Sequence, residues 1–326
     1  MDILGQEFQK EDSFEVSIRP SNLDEYIGQE KIKEQLRIFI EASKRKNQTL
    51  DHTLLSGPPG LGKTTLANII AKELNVDIVT TSGPVLEKKG DLAGILTSLN
   101  EGDILFIDEI HRLNPAVEEA LYPAMEDYKI DIILGKGQSS KSIRLDVPKF
   151  TLIGATTRTG LLTSPLLSRF GIILNFDYYE KEVLKEVIKR TAILLKIDIT
   201  EDAALEIAKR SRGTPRIANR LLKRVHDFAL IKHTGQITQK IAEEALNFFE
   251  IDEYGLDITD RKYLDALVNK FNGKPVGINT IASTISEDKG AIEEIIEPYL
   301  LRLGFITRTP KGRIPTEKAL NHIKQD

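Results

Sequence analysis

The chain has no cysteine among its 326 residues. Disulfides, thiolate metal sites and cysteine nucleophiles are thereby excluded. Histidine is also scarce: five are scattered without a close pair, a pattern that does not supply zinc ligands. Chemistry must come from oxygens, lysine and arginine. No apolar run approaches the roughly 20 residues that cross a bilayer, so no membrane contact is expected. Residues 1–20 mix acids with isolated apolar residues and lack the basic stretch and apolar core of a secretory leader, which makes the cytoplasm the expected compartment. Internal repeats and low-complexity tracts are lacking too. A formal charge of -4 gives no overall nucleic-acid footprint, so any DNA contact has to be a local basic patch.

What is present is the composition of an ordinary globular protein, 40% hydrophobic and 29% charged, long enough for two or three domains of about 150 residues or fewer. Short apolar runs at 52–56, 76–82, 103–108, 150–155 and 171–176 alternate with helical patterns and read as buried strands. Such alternation implies an α/β domain, a parallel sheet with helices on both faces, over residues 1–180. From 181 to 251 the pattern is helical only, which predicts a small all-helical domain. Residues 252–257 are acidic, carry Gly255 and read as a linker. Beyond them, helix, helix, helix and two short extended runs, at 305–309 and 314–316, fit a winged helix over 252–326.

Gly57-Pro58-Pro59-Gly60-Leu61-Gly62-Lys63-Thr64 matches the phosphate-binding loop pattern and lies between a predicted strand and a predicted helix at 65–74. Glycines let backbone N–H groups converge on phosphates at a helix N-terminus. Lys63 can balance charge on the β- and γ-phosphates of ATP, and the Thr64 hydroxyl can ligate Mg²⁺. Further on, Ile104-Leu105-Phe106-Ile107-Asp108-Glu109 is an apolar strand that ends in two carboxylates. At the C-terminal edge of a parallel sheet, Asp108 can reach Mg²⁺ and Glu109 can polarise the attacking water. Two acids after a strand can also simply favour a helix N-terminus; beside the phosphate loop that reading is secondary.

The following segments separate this ATP site from those of small-molecule kinases and switches. Phe150-Thr151-Leu152-Ile153-Gly154-Ala155-Thr156-Thr157-Arg158 is another buried strand ending in hydroxyls, followed by Ser164-Pro165-Leu166-Leu167-Ser168-Arg169-Phe170-Gly171. These resemble the sensor 1 strand and arginine-finger box of AAA+ ATPases. Gly213-Thr214-Pro215-Arg216-Ile217-Ala218-Asn219-Arg220 resembles sensor 2 as the Holliday-junction branch-migration motors carry it. Arg19-Pro20, Tyr26-Ile27-Gly28-Gln29, Asp108-Glu109-Ile110-His111-Arg112, Glu126-Asp127-Tyr128, Glu297-Pro298-Tyr299-Leu300 and Arg308-Thr309-Pro310 are similar to the same family, over about residues 14–316.

The resemblance implies that Thr157 senses the γ-phosphate, that Arg216 contacts it from the helical domain, and that Arg169 enters a neighbour's site. A finger acting in trans implies a homo-oligomer, in this family a hexameric ring. The resemblance also implies nucleotide contacts from Ile18, Arg19, Tyr26, Ile27, Gly60, Leu61, Gly62, Thr65, Glu126, Asp127, Tyr128, Tyr179 and Pro215. By spacing alone, Tyr179 would be a packing aromatic. The implied activity is ATP-driven branch migration in the bacterial cytoplasm on the duplex arms of four-way junctions, with a junction-binding partner and a resolvase.

In the winged-helix segment, Asn279 is the expected cap of the second helix, and Ile292, Ile295, Ile296, Tyr299, Leu300 and Leu303 form the expected core stripe of the third. Glu293, Glu294 and Glu297 would occupy that helix's outer face, where acids repel phosphates. Arg302, Arg308, Lys311 and Arg313, with no acid between 301 and 315, instead point to the wing as the DNA contact. No aromatic interleaves them, which favours phosphate contacts with duplex over stacking on single strands. A solvated basic turn is the bland alternative.

Between residues 129 and 147 the pattern is a β-hairpin around Gly135-Lys136-Gly137-Gln138-Ser139-Ser140. Ile132, Ile133 and Leu134 are consecutive and place apolar groups on both faces. The surplus face reads either as a partner-docking surface, which is where the family's hairpin meets its junction-binding protein, or as packing on the same domain. A protein unfoldase is disfavoured, because residues 82–102 contain no aromatic for a pore loop. An ATP-switched clamp loader or initiator uses the same ATP site and is the competing reading.

Overall fold

The structure, a computed structural model, describes residues 17–134 and 141–324. The chain forms two compact units, one of Met1–Val183 with Thr214–Arg216, the other of Leu184–Gly213 with Ile217–Asp326.

The first unit is built on five parallel strands, β1 (Thr53–Ser56), β2 (Ile78–Ser82), β3 (Ile104–Asp108), β6 (Thr151–Thr156) and β7 (Ile172–Asn175), in the order β2-β3-β6-β1-β7. Between β3 and β6 lies an antiparallel hairpin, β4 (Lys129–Leu134) with β5 (Lys141–Asp146). The expectation of buried strands holds for the three central ones, whose residues are covered on both faces except at Asp108. It fails at the two edges. In β7, Ile172 and Leu174 are buried while Ile173 and Asn175 are exposed, and β2 is half-buried except at the exposed Thr80. An edge strand has a neighbour on one side only, so flanking helices cover it less completely.

The second unit joins the helical segment to the winged helix. The helices Glu201–Lys209 and Gln239–Phe248 are capped by the hydroxyls of Thr200 and Thr238, and the helix Pro215–Lys232 buries Ala218, Leu221, Leu222, Val225, Phe228 and Ala229. The predicted linker at 252–257 is an ordered turn. Asp252 accepts from the Tyr254 and Leu256 N–H groups and meets His322, Leu256 is fully buried, and Asp257 caps the helix Ile258–Asp265. A side chain at Gly255 would meet the Arg210 carbonyl, which is why glycine stands there.

The winged helix has its own core around Tyr263, Leu264, Ile281, Ile292, Leu300 and Phe305. Its second helix, Ile278–Ile285, starts from Gly277 rather than from the expected cap Asn279; the Gly277 carbonyl accepts the first helical bond from Ile281 N–H. The third helix departs further from expectation, because Ile292–Ile296 is a π-helical stretch that leads into the α-helix Glu297–Arg302. A wide turn admits one extra residue. Ile295 is thereby left 59% exposed, outside the predicted core stripe, while Glu297, expected on the outer face, is fully buried. The wing is β8 (Ile306–Thr309) paired with β9 (Gly312–Pro315), closed by the helix Glu317–Ile323.

Candidate nucleotide site and candidate DNA-binding face

The loop after β1 leads directly into the helix Lys63–Leu74, and Gly57, Gly60 and Gly62 all have positive φ. Gly57 has no room for a side chain, since a Cβ would lie 2.7 Å from the Phe176 carbonyl oxygen. The loop therefore keeps its backbone close to its surroundings, with N–H groups at a helix N-terminus, an arrangement suited to phosphates. Lys63 is buried, and its ammonium donates to the Gly57 and Pro58 carbonyls at 2.7 and 2.8 Å. Burial, opposed by Asp108 and assisted by Arg216, pulls its pKa down to about 8. The Arg216 N–H reaches the Gly60 carbonyl at 3.4 Å, and a Cβ on Gly60 would touch the Arg216 side chain at 3.2 Å. Arg216 thus stands beside the loop, with Pro215 starting its helix.

Parallel pairing brings the remaining ends together. Ser56 of β1 pairs with Thr156 of β6, and Ile107 of β3 with Gly154. Asp108, Glu109, Thr156 and Thr157 consequently lie at the strand ends that carry the phosphate loop. Glu109 has left-handed backbone at φ 47°, uncommon for a side chain larger than glycine. Its N–H donates to Asp108 Oδ1 at 2.9 Å, and its carboxylate pairs with Arg112 at 2.7 Å. Thr156 Oγ1 bonds His111 Nδ1 at 3.0 Å, which ties the segment after β3 to the end of β6. His111 and Arg112 were quoted only as part of the family-like Asp108–Arg112 run, and the sequence assigned neither of them a role.

Tyr26 and Tyr179 form a buried wedge under the loop. Tyr179 Oη donates to Tyr26 Oη, which donates to the Leu61 carbonyl at 3.1 Å, and a Cβ on Gly62 would lie 2.7 Å from Tyr26 Oη. Burial raises both phenol pKa values, Tyr179 to about 12, so both stay neutral. Gly28 touches the Tyr179 ring, and Gln29 donates to the Asp177 carbonyl. Tyr179 is therefore a packing aromatic that also holds the loop. Ile18 is buried, Arg19 and Ile27 are half-buried, and Thr64 and Thr65 begin the loop's helix.

Glu126, Asp127 and Tyr128 are not brought to this loop. They precede β4 and lie near the opposite end of the sheet, where Tyr128 meets Phe150 at the start of β6 edge-on and lines a polar cleft with Leu50, Asp51 and Lys149. Glu126 pairs instead with Arg169 at 3.1 Å. Arg169 also donates to the Pro165 carbonyl at 2.6 Å and stacks over the Tyr122 ring at 4.4 Å, while its buried Nε has no hydrogen-bond partner among the described residues. Arg169 is folded against its own domain, away from its own phosphate loop.

In the hairpin, Ile130 and Val147 are core residues with Ile132 and Leu145 packed against them, and Ile143 is 39% exposed. Ile132 is therefore part of the domain's own packing, the alternative to partner docking for this residue. The side chains of Ile133 and Leu134, and the turn at 135–140, lie outside the described residues.

At the wing, Arg302, Arg308 and Lys311 are exposed, and Gly312 crosses so close to Val276 that a Cβ would lie 2.4 Å from its carbonyl oxygen. Arg302 stacks on Tyr299 at 5.1 Å. Arg308 and Arg313 both pair with the buried Glu297, which also accepts from Tyr263 Oη at 2.9 Å. Burial pushes the Glu297 pKa up, but the bonds from Arg313, Tyr263 and Arg308 outweigh it and hold the carboxyl below the usual range. Arg313 is only 17% exposed, so the expected open basic patch is partly bound into the fold. Its backbone also bonds Val276 in both directions.

Three family models match in succession: Holliday junction DNA helicase RuvB P-loop domain at 18–176, RuvB AAA lid domain at 179–252, and RuvB C-terminal winged helix domain at 253–324. Among solved structures, the Thermotoga maritima RuvB Holliday junction branch migration motor is 53% identical, with 94% of this chain and 98% of that chain covered and a TM-score of 0.86. Two point mutants of that protein match over the same shares at 53% and 54% identity, with TM-scores of 0.87 and 0.86. With a phosphate loop, an acid-tipped strand and a basic wing in that succession, the chain belongs to the RuvB family of ATP-driven Holliday junction branch migration motors.

Proposed function

We propose that this chain turns over ATP at the ends of β1, β3 and β6 and spends the work on duplex DNA held by the wing, moving the branch point of four-way junctions. The gathering of Lys63, Asp108, Glu109 and Arg216 around one phosphate loop supports this most directly. The loop's N–H groups and Lys63 would bind the phosphates. The Thr64 hydroxyl and the Asp108 carboxylate fit Mg²⁺, which takes few protein ligands when phosphate oxygens complete its shell. Bound there, the metal would neutralise charge between the β- and γ-phosphates. Glu109 would exchange Arg112 for the attacking water and accept its proton, while Thr157 and Arg216 would orient the γ-phosphate. Arg169 would serve a neighbouring copy, with Glu126, Asp127 and Tyr128 on the same face, since all four lie away from their own phosphate loop. That arrangement calls for a homo-oligomer, in our reading a hexameric ring.

The chain would work in the bacterial cytoplasm with RuvA, which recognises the junction and meets Ile133 and Leu134 of the hairpin, and with RuvC as resolvase. Its domains would divide at 1–180, 181–251 and 252–326. A clamp-loader or initiator type of switch would use one ATP per binding event. The test is a four-way junction with RuvA and excess ATP. Continuous hydrolysis during strand displacement supports a motor, whereas a single turnover per bound junction refutes it.

A further inference from the structure

Resting on the proposed DNA contact of the wing, we infer that Glu297 is the positioning residue of the grip: buried beneath the wing, it fixes Arg308 and Arg313 in the conformation that meets the phosphate backbone. The observation is a closed cluster drawn from separate elements of the winged helix. Glu297 begins the α-helix Glu297–Arg302, Tyr263 comes from the helix Ile258–Asp265, Arg308 from β8 and Arg313 from β9. Arg308 donates through Nε and Nη2 to Glu297 Oε2, while Arg313 donates through Nε to Oε1 at 2.7 Å and through Nη2 to Oε2 at 3.2 Å. Tyr263 Oη completes Oε1, so both oxygens are fully engaged.

The electrostatic cost of this arrangement argues for a role. A carboxylate under a phosphate-binding surface cancels one positive charge and weakens attraction to DNA. Hydrophobic residues would hold the wing on the core without that loss. What the carboxylate adds is direction: each guanidinium spends two of its five N–H donors on Glu297 and keeps the others for a ligand. Arg308, 48% exposed, presents them to solvent, while Arg313, 17% exposed, braces the cluster from β9. Long side chains ordered before DNA arrives do not have to be ordered by it, an advantage worth several-fold in affinity per arginine.

The two views predict opposite signs, which makes the test sharp. Binding of the full chain to a fluorescent duplex is measured over a range of salt for Glu297→Gln, Tyr263→Phe and Arg308→Ala, with folding followed by circular dichroism. Glu297→Gln removes a negative charge, and by charge alone would tighten binding. Positioning predicts instead about tenfold weaker binding at physiological salt, with a salt slope steeper by up to one unit because the arginines lose their internal counter-charge. Tyr263→Phe keeps the charge and should weaken binding a few-fold with the slope unchanged. Unaltered or tighter binding by Glu297→Gln overturns the proposal, as does weaker binding with a shallower slope, the mark of a merely loosened domain. Should Glu297→Gln not fold, unaltered affinity in Tyr263→Phe overturns it. Arg308→Ala separates the two layers: if it leaves affinity and slope unchanged, the wing contact itself falls, whereas if it alone weakens binding, only the positioning role falls.

Discussion

Glu109 in the P-loop unit and Glu297 in the winged helix are carboxylates held in opposite ways. Glu109 stands at a strand end in left-handed backbone, 37% exposed, with the exposed Arg112 as its ion-pair partner. Such a pair contributes little to stability, about 1 kcal/mol at most, and is readily exchanged for a ligand. Glu297 has no exposure, three side-chain partners and no freedom to move without unfolding its surroundings. The proposed roles fit this difference: a group that would change partners in each turnover is loosely paired, and one that would set geometry is buried and saturated.

The comparison is broken most forcefully at the ATPase end. Arg169→Ala should lower steady-state hydrolysis by about 10³-fold or more, as arginine fingers generally do. An equimolar mixture of Arg169→Ala and Lys63→Ala chains should recover part of that loss, because a Lys63-intact site can border an Arg169-intact neighbour. A mixture no more active than the sum of its parts, by phosphate release, counts against action in trans. Next in size, Glu109→Gln should cut turnover by about 10²-fold or more while ATP still binds, since proton transfer to a positioned base is worth that much. Lys63→Ala, by contrast, should lose nucleotide binding itself, measurable by titration calorimetry.

At the winged helix, Arg313→Ala and Arg308→Ala should separate. Removal of the mostly buried Arg313 should cost roughly 2–3 kcal/mol of stability, seen as a lower melting temperature. Removal of the half-exposed Arg308 should cost under about 1 kcal/mol and should instead reduce the salt slope of DNA binding by about one. Equal melting temperatures for the two variants would show that Arg313 is no more deeply held than Arg308.

The smallest effect is a pH dependence. The Lys63 pKa of about 8 lies below its ordinary 10.5, so charged Lys63 is penalised in the fold below pH 8, and the penalty is lost as pH rises towards 10.5. Lys63→Met should therefore stabilise the nucleotide-free protein slightly at pH 7, with a gain that fades towards pH 10. ATP favours the charged lysine, so affinity should fall as pH rises through 8, by at most about tenfold per unit. A flat affinity profile from pH 7 to 9 would place the lysine's titration elsewhere.

The parallel sheet and the phosphate loop were legible because both are local. A strand covered on both faces reads as an apolar run, and a loop that cradles phosphate needs glycines at set spacing. Edge strands were misread as buried because coverage depends on position in the sheet, which β7's residues do not encode. The order of the 252–257 segment was not legible for a related reason. Asp252 and Asp257 look like a solvated acidic stretch until the N–H groups of 254, 256, 259 and 260 are seen to bond them.

By itself, the sequence determined the order of elements, the chemistry at the strand ends and the basic character of the wing, since periodicity and short motifs act over a turn of helix or a strand. Tertiary structure alone decided which charges are free. One π-helical turn brings Glu297 inside, two distant arginines converge on it, and Arg169 settles on Tyr122 and Glu126. Ion pairing joins residues 11, 16 and 43 positions apart, and such partners are chosen by packing rather than by sequence neighbourhood.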